Sequence, residues 1–208
     1  MKVLLLNGSP HENGCTAAAL EEIAAALSRQ GIETELMQIG KAPIQGCTAC
    51  RSCRSGKIQG RCIFDGDPVN VFLGKMEKAD GLIIGSPVYY ASPNGSLLAL
   101  LDRAFYAGNC FRWKPACAIV SARRAGTTAA YDVLNKYLTI SGMLLTPTCY
   151  WNMVHGNRRE EALRDEEGMR IMRVLGNNMA WQLRMLEASR GTVPFPEEEP
   201  PAQTNFIR

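Results

Sequence analysis

Four cysteines in one short stretch are the residues best suited to chemistry. Cys47, Cys50 and Cys53 form two overlapping C-x-x-C units, and Cys62 follows after eight intervening residues. An iron–sulfur cube needs four thiolates on a tightly wrapped loop, and this pitch suits it. Structural zinc more often takes two separated C-x-x-C pairs. A reduced, metal-free loop is the third reading. Arg51, Arg54, Lys57 and Arg61 stand among these cysteines. They would stabilise an anionic cluster and raise its reduction potential, or else form a solvated basic face. The other cysteines (Cys15, Cys110, Cys117 and Cys149) are scattered and read as small apolar residues.

A second set of residues points to a phosphate. Asn7-Gly8-Ser9-Pro10-His11-Glu12-Asn13-Gly14-Cys15-Thr16 follows an apolar run and leads into a helix. Glycines let the backbone approach a ligand, Ser9, Asn13 and Thr16 offer short polar side chains, and the helix N-terminus attracts anions. An ordinary strand-to-helix turn capped by Asn13 or Thr16 is the plainer reading. There is no G-x-G-x-x-G fingerprint and no phosphate-loop lysine, so the common dinucleotide and nucleoside-triphosphate sites fit poorly. Ser86-Pro87-Val88-Tyr89-Tyr90-Ala91-Ser92-Pro93 offers aromatic rings on a stiff, proline-bracketed backbone, which suits a flat heterocycle. Ser121-Ala122-Arg123-Arg124-Ala125-Gly126-Thr127 would face the same side, with Arg123 and Arg124 as candidate cations beside such a ring.

The elements that must position these loops alternate. Strands are expected at Val3–Leu6, Ile32–Ile39, Gly81–Gly85, Pro115–Val120 and Met143–Cys149. Helices are expected at Cys15–Gln30, from Asp67-Pro68 to about Lys78, Gly95–Ala107, Thr127–Ser141 and Glu166–Ser189. In the last helix Met169, Met172, Leu175, Met179, Leu183 and Leu186 make a core-facing stripe. Such alternation implies an α/β, doubly wound, five-stranded parallel sheet, for which the flavodoxin-like order 2-1-3-4-5 is expected. Ligands then bind beyond the C-terminal strand ends, at the switch between strands 1 and 3. The cysteine loop, leaving strand 2, is expected near that edge or reaching toward a neighbouring subunit.

The chain has 208 residues, 46% hydrophobic and 21% charged, with a net charge of +3. One domain over 1–190 is expected, with a cysteine-rich loop at 43–66 and an extended tail at 191–208. The tail is expected to be solvated or to lie along a neighbour. The charge balance gives no case for nucleic acid or membrane partners. The apolar start is too short for a signal peptide, so a cytoplasmic protein with reduced thiols is expected.

Gly8-Ser9-Pro10 with Asn13 and Thr16 resembles the GSPRxxGNT-type loop of the NAD(P)H-dependent FMN reductase family. Pro87-Val88-Tyr89-Tyr90 through Leu101-Asp102-Arg103, and Asp165-Glu166-Glu167-Gly168, are similar to further segments of that family. The cysteine pattern resembles its iron–sulfur flavoprotein branch, whose gap to the fourth cysteine is somewhat shorter. The resemblance implies that Ser9, His11, Asn13, Cys15 and Thr16 hold an FMN phosphate, with His11 and Cys15 departing from the usual residues. Pro87, Val88, Tyr89 and Tyr90 would frame the isoalloxazine, and Ser121, Ala122 and Gly126 its other edge. Cys47, Cys50, Cys53 and Cys62 would ligate a [4Fe–4S] cluster. NAD(P)H or a protein would donate electrons, a small molecule or protein would accept them, and homodimers or homotetramers are implied. Flavin chemistry needs no side chain as acid or base. Two alternatives stand beside it: a cluster-free NAD(P)H-dependent reductase of flavin, quinone or small electrophiles, and an FMN- or metal-loaded regulatory module without turnover.

Overall fold

The computed structural model describes all residues except Lys57, Pro201, Gln203 and 205–208. Lys57 of the basic cysteine loop and the end of the tail therefore lie outside the described residues.

The hydrophobic runs become the central strands. β1 (Lys2–Asn7) is buried from Val3 onward, because helices cover both faces of the sheet. It pairs in parallel with β2 (Glu33–Gln38) on one side and β3 (Gly81–Tyr89) on the other. β5 (Pro115–Ala122) continues the sheet beyond β3. The strand order is β2-β1-β3-β5-β6, with β6 at Leu144–Leu145, the expected doubly wound arrangement with its switch between β1 and β3.

The fifth position differs from expectation in detail. Only Leu144–Leu145 (β6) pairs with the start of β5, and Met153–His155 (β7) pairs with its end. Leu144 N and Thr146 N donate to Lys114 O and Ala116 O, after which the chain leaves the sheet and returns at Met153. Thr146 N donates to Ala116 O at 2.9 Å, and Asn152 Nδ2 donates to Ala118 O at 3.0 Å. These bonds satisfy the β5 edge across the gap. The consequence is functional, since β7 carries residues 156–160 to the C-terminal edge of the sheet.

Two helices cover one face. α1 (Cys15–Arg29) and α6 (Glu166–Ser189) pack together there with the methionine stripe between helix and sheet. Gly176 permits the contact, because a Cβ there would meet Ala26 Cβ at 2.7 Å. α2 (Val69–Lys78), α3 (Gly95–Ala107) and α4 (Thr127–Ile140) cover the other face. A four-residue helix α5 (Arg159–Ala162) precedes α6, whose Asp165 cap accepts from Gly168 N at 2.9 Å.

The tail turns back on its own chain: Phe195 stacks on Trp113 at 5.5 Å, and Glu198 pairs with Arg112. Among the described residues, no helix is long and apolar enough to cross a membrane.

Candidate functional site

The loops after β1, β3, β5 and β7 enclose a cleft of about 760 Å³ at the C-terminal edge of the sheet. The turn after β1 is pulled against β3 by Gly8 N donating to Gly85 O at 2.7 Å. Only glycine fits there, since a Cβ on Gly8 would lie 2.5 Å from Leu97 Cδ2 and 2.7 Å from Gly85 O. Ser9 is buried; its N–H donates to Asn7 Oδ1 and its Oγ accepts from His11 N, both at 3.1 Å. The turn is thus wound tightly, and Gly14, Cys15 and Thr16 bring the start of α1 to the cleft wall.

Among the described residues no side chain caps α1, neither Asn13 nor Thr16. The first-turn amides therefore have no intrahelical or side-chain acceptor at a cleft wall, which suits a phosphate. Thr16 Oγ1 is instead bonded to Ser121 Oγ at 2.8 Å, a buried pair tying α1 to β5 beneath the cleft. Cys15 Sγ donates to Gly156 O at 3.3 Å, and burial pushes this thiol above its ordinary value.

The aromatic loop is a tight hairpin. β3 turns into the two-residue strand β4 (Ser92–Pro93), pairing Tyr89 with Ser92. Both turn residues have positive φ, 50° at Tyr90 and 57° at Ala91. That is the two-residue hairpin turn usually given to Asn-Gly, and side chains there cost about 1–2 kcal/mol each. The cleft is lined by Pro87, Val88 and Tyr89, but Tyr90 is fully exposed and outside the lining. Gly126 also stands behind the wall, where a Cβ would lie 2.9 Å from Ala91 Cα.

Ser9, His11, Asn13, Cys15, Thr16, Pro87, Val88, Tyr89, Ser121 and Ala122 line this one cleft, and Arg123 joins them while Arg124 does not. Lys41, Gly156, Asn157, Arg158 and Arg159 also line the cleft and were missed. The signal for residues 156–159 was the short polar Gly156-Asn157 step after Met153-Val154-His155. Reading Met143–Cys149 as one whole strand hid it.

The cysteine segment forms a separate place. Cys47, Cys50, Cys53 and Cys62 all line one recess of about 20 Å³, with Arg51, Phe64, Arg103 and Tyr106. It shares no lining residue with the cleft. Arg103 and Tyr106 lie in the second half of α3, roughly 12 Å or more along the helix from its start beside the cleft. The loop thus leaves β2 and descends along α3 rather than staying at the strand ends.

Cys47 and Cys50 are exposed, whereas Cys53 and Cys62 are half-buried against the core. The Ser52 backbone amide, then its hydroxyl, holds the Cys50 thiol below its ordinary value; burial raises Cys53. Among the described residues, no three His, Cys, Asp or Glu side chains converge closely enough for one metal ion. A cube binds each thiolate to a different iron, so four cysteines around one recess is the weaker condition that fits it. Of the scattered cysteines, Cys117 is buried and its thiol pushed well up, while Cys149 is exposed and not a core residue.

An open parallel sheet with a phosphate-suited turn and a stiff apolar wall at its switch point defines a flavodoxin-like oxidoreductase. Residues 1–158 match the family described as NADPH-dependent FMN reductase. The chain belongs to that family, on its iron–sulfur flavoprotein branch. An iron–sulfur flavoprotein of Methanocaldococcus jannaschii is 29% identical over 196 residues, covering 90% of this chain and 100% of that one. Another, of Archaeoglobus fulgidus, is 33% identical over 150 residues, covering 71% of this chain and 72% of the relative. A solved archaeal flavodoxin superposes with a TM-score of 0.59 at 13% identity, over 88% of this chain and 99% of that one, a likeness of fold.

Proposed function

We propose that this protein passes electrons from a reduced nicotinamide, or another donor, through FMN to an acceptor, with a [4Fe–4S] cluster on Cys47, Cys50, Cys53 and Cys62. The cleft carries the reading: an uncapped helix N-terminus and a rigid apolar wall meet in one space. Bound FMN supplies hydride acceptance and release of electrons singly or in pairs. A cluster on the cysteines supplies one-electron exchange.

The chain's own residues do the holding. The turn Ser9 to Asn13 and the first amides of α1 are suited to the phosphate. Pro87, Val88 and Tyr89 offer one apolar face, and Ser121 and Ala122 an edge of polar backbone. The strained Tyr90-Ala91 turn keeps that face stiff, and Gly126 lets β5's loop pack directly behind it. Arg123, at the rim, adds positive charge where a reduced ring would gain negative charge. Nothing in this arrangement calls for a side-chain acid or base.

Freshly purified anaerobic protein tests the proposal. Flavin absorption, oxidation of NADPH or NADH, and a clear preference for FMN over riboflavin are expected. Equal affinity for FMN and riboflavin would remove the phosphate site. About four irons and matching acid-labile sulfide per chain are expected. Stoichiometric zinc, or no metal, would leave a plain FMN reductase.

A further inference from the structure

We infer that Arg103 is the positioning residue of the cysteine segment, closing the loop from both ends and donating a hydrogen bond to Cys62 sulfur; its second half rests on the proposed cluster. Arg103 is only 2% exposed, the largest fully buried side chain in the molecule's described residues. A buried guanidinium is costly unless every donor direction is used. Here all of its partners come from one segment. Nη1 donates to Gln45 O at 3.1 Å, just before Cys47, and to the Asp67 carboxylate. Nη2 donates to Phe64 O at 2.8 Å, just after Cys62. Nε donates to Cys62 Sγ at 3.3 Å.

The planar fork matters more than the charge. Asp67 already neutralises the guanidinium, so what Arg103 adds is three fixed directions that a lysine ammonium on a flexible stem cannot reproduce. Asn70 completes the hold on Cys62, accepting from its N–H and donating to its carbonyl, both at 2.9 Å. Both the backbone and the sulfur of Cys62 are therefore held by side chains of α2 and α3. This is a scaffold for a ligand at fixed position, despite the long gap from Cys53. A donor on a ligating sulfur withdraws charge from it and raises the potential of the metal group it binds.

Two variants test this. Arg103→Lys keeps the charge and loses the fork. The double change Arg103→Gln with Asp67→Asn removes both buried charges together, so neither is left unpaired. Hydrogen exchange of amides 44–66 is compared in FMN-loaded, cluster-free protein. The cluster potential is titrated in anaerobically reconstituted protein. Exchange in the loop should rise on the order of tenfold or more in both variants, with α1 and the central strands unchanged. The cluster potential should shift to more negative values in both. Wild-type exchange in either variant, or an unchanged potential, overturns the inference. Failure of the wild-type chain to take up iron sinks the cluster reading alone, and the exchange comparison then decides Arg103's hold on the loop.

Discussion

The cleft and the cysteine segment are built on opposite principles. The cleft's walls are strand ends, and its critical contacts are main-chain: Gly8 N to Gly85 O, and the β3–β4 pairing behind Val88 and Tyr89. Among its described residues, the cysteine segment's only regular piece is the three-residue turn Ser52–Arg54, with Ala49 and Arg51 at positive φ. It is hung on side chains: Arg103, Asn70, Arg61 with Glu77, and Arg54 over the Tyr106 ring at 4.7 Å. A site made by backbone topology tolerates exchange of its side chains but not a change in backbone approach. A site held by side-chain anchors behaves the other way round.

The sharpest test of that contrast is chemical. Cys50→Ser should abolish iron and sulfide while leaving FMN content and unfolding stability near wild type, within about 0.5 kcal/mol, because Cys50 is exposed. Loss of FMN together with iron would show that the two regions are one unit. Metal analysis and denaturant unfolding of the same preparation read both.

Gly8→Ala is the converse. Its Cβ would press on the Gly85 carbonyl at 2.7 Å, so stability should fall by about 1–3 kcal/mol and FMN retention should drop. The cysteine recess should keep its metal. Urea unfolding and flavin fluorescence measure the first two, and iron content the third.

Thr16→Val leaves the buried Ser121 hydroxyl without its partner at a cost of about 1–2 kcal/mol. Adding Ser121→Ala should recover part of that loss. A double variant as unstable as the sum of the two singles would mean that the pair contributes nothing as a pair.

The smallest effect expected is on the loop's outer anchor. Arg61 holds the Glu77 carboxyl below the usual carboxylate range, and the pair is largely exposed. A lowered folded-state value means its contribution is present above the unfolded value of about 4.3 and is lost as pH falls through the folded one. The amount should be under about 1 kcal/mol. Exchange near residues 60–62 should therefore rise below about pH 4, and Glu77→Gln should remove that pH dependence.

Much of this was legible in the residues. β1, β3 and β5 each carry an unbroken apolar run buried on both faces, Val3–Leu6, Leu82–Ile84 and Ala116–Val120, so their strand character needs no context. The turn after β1 announced itself through Gly8, Ser9 and Gly14, because close approach and tight winding demand those types. The hairpin at Tyr90-Ala91 could not be read the same way, since neither residue favours positive φ and only the surrounding packing enforces it. Likewise the run from Met143 to Cys149 looks continuous, and only the packing takes the chain off the sheet after Thr146 and back to it at Met153.

The pattern of buried runs, the phosphate-suited turn and the four clustered thiols belong to the sequence alone, because each depends on residues close along the chain. The recess that gathers those thiols, and its distance along α3 from the cleft, are tertiary facts. Arg103 shows why. By local rules an arginine beside Asp102 on a helix belongs in water, and it is buried here only because the segment from Gln45 to Asp67 folds over it and satisfies its donors. A charge can leave water only for partners, and those partners are distant in sequence.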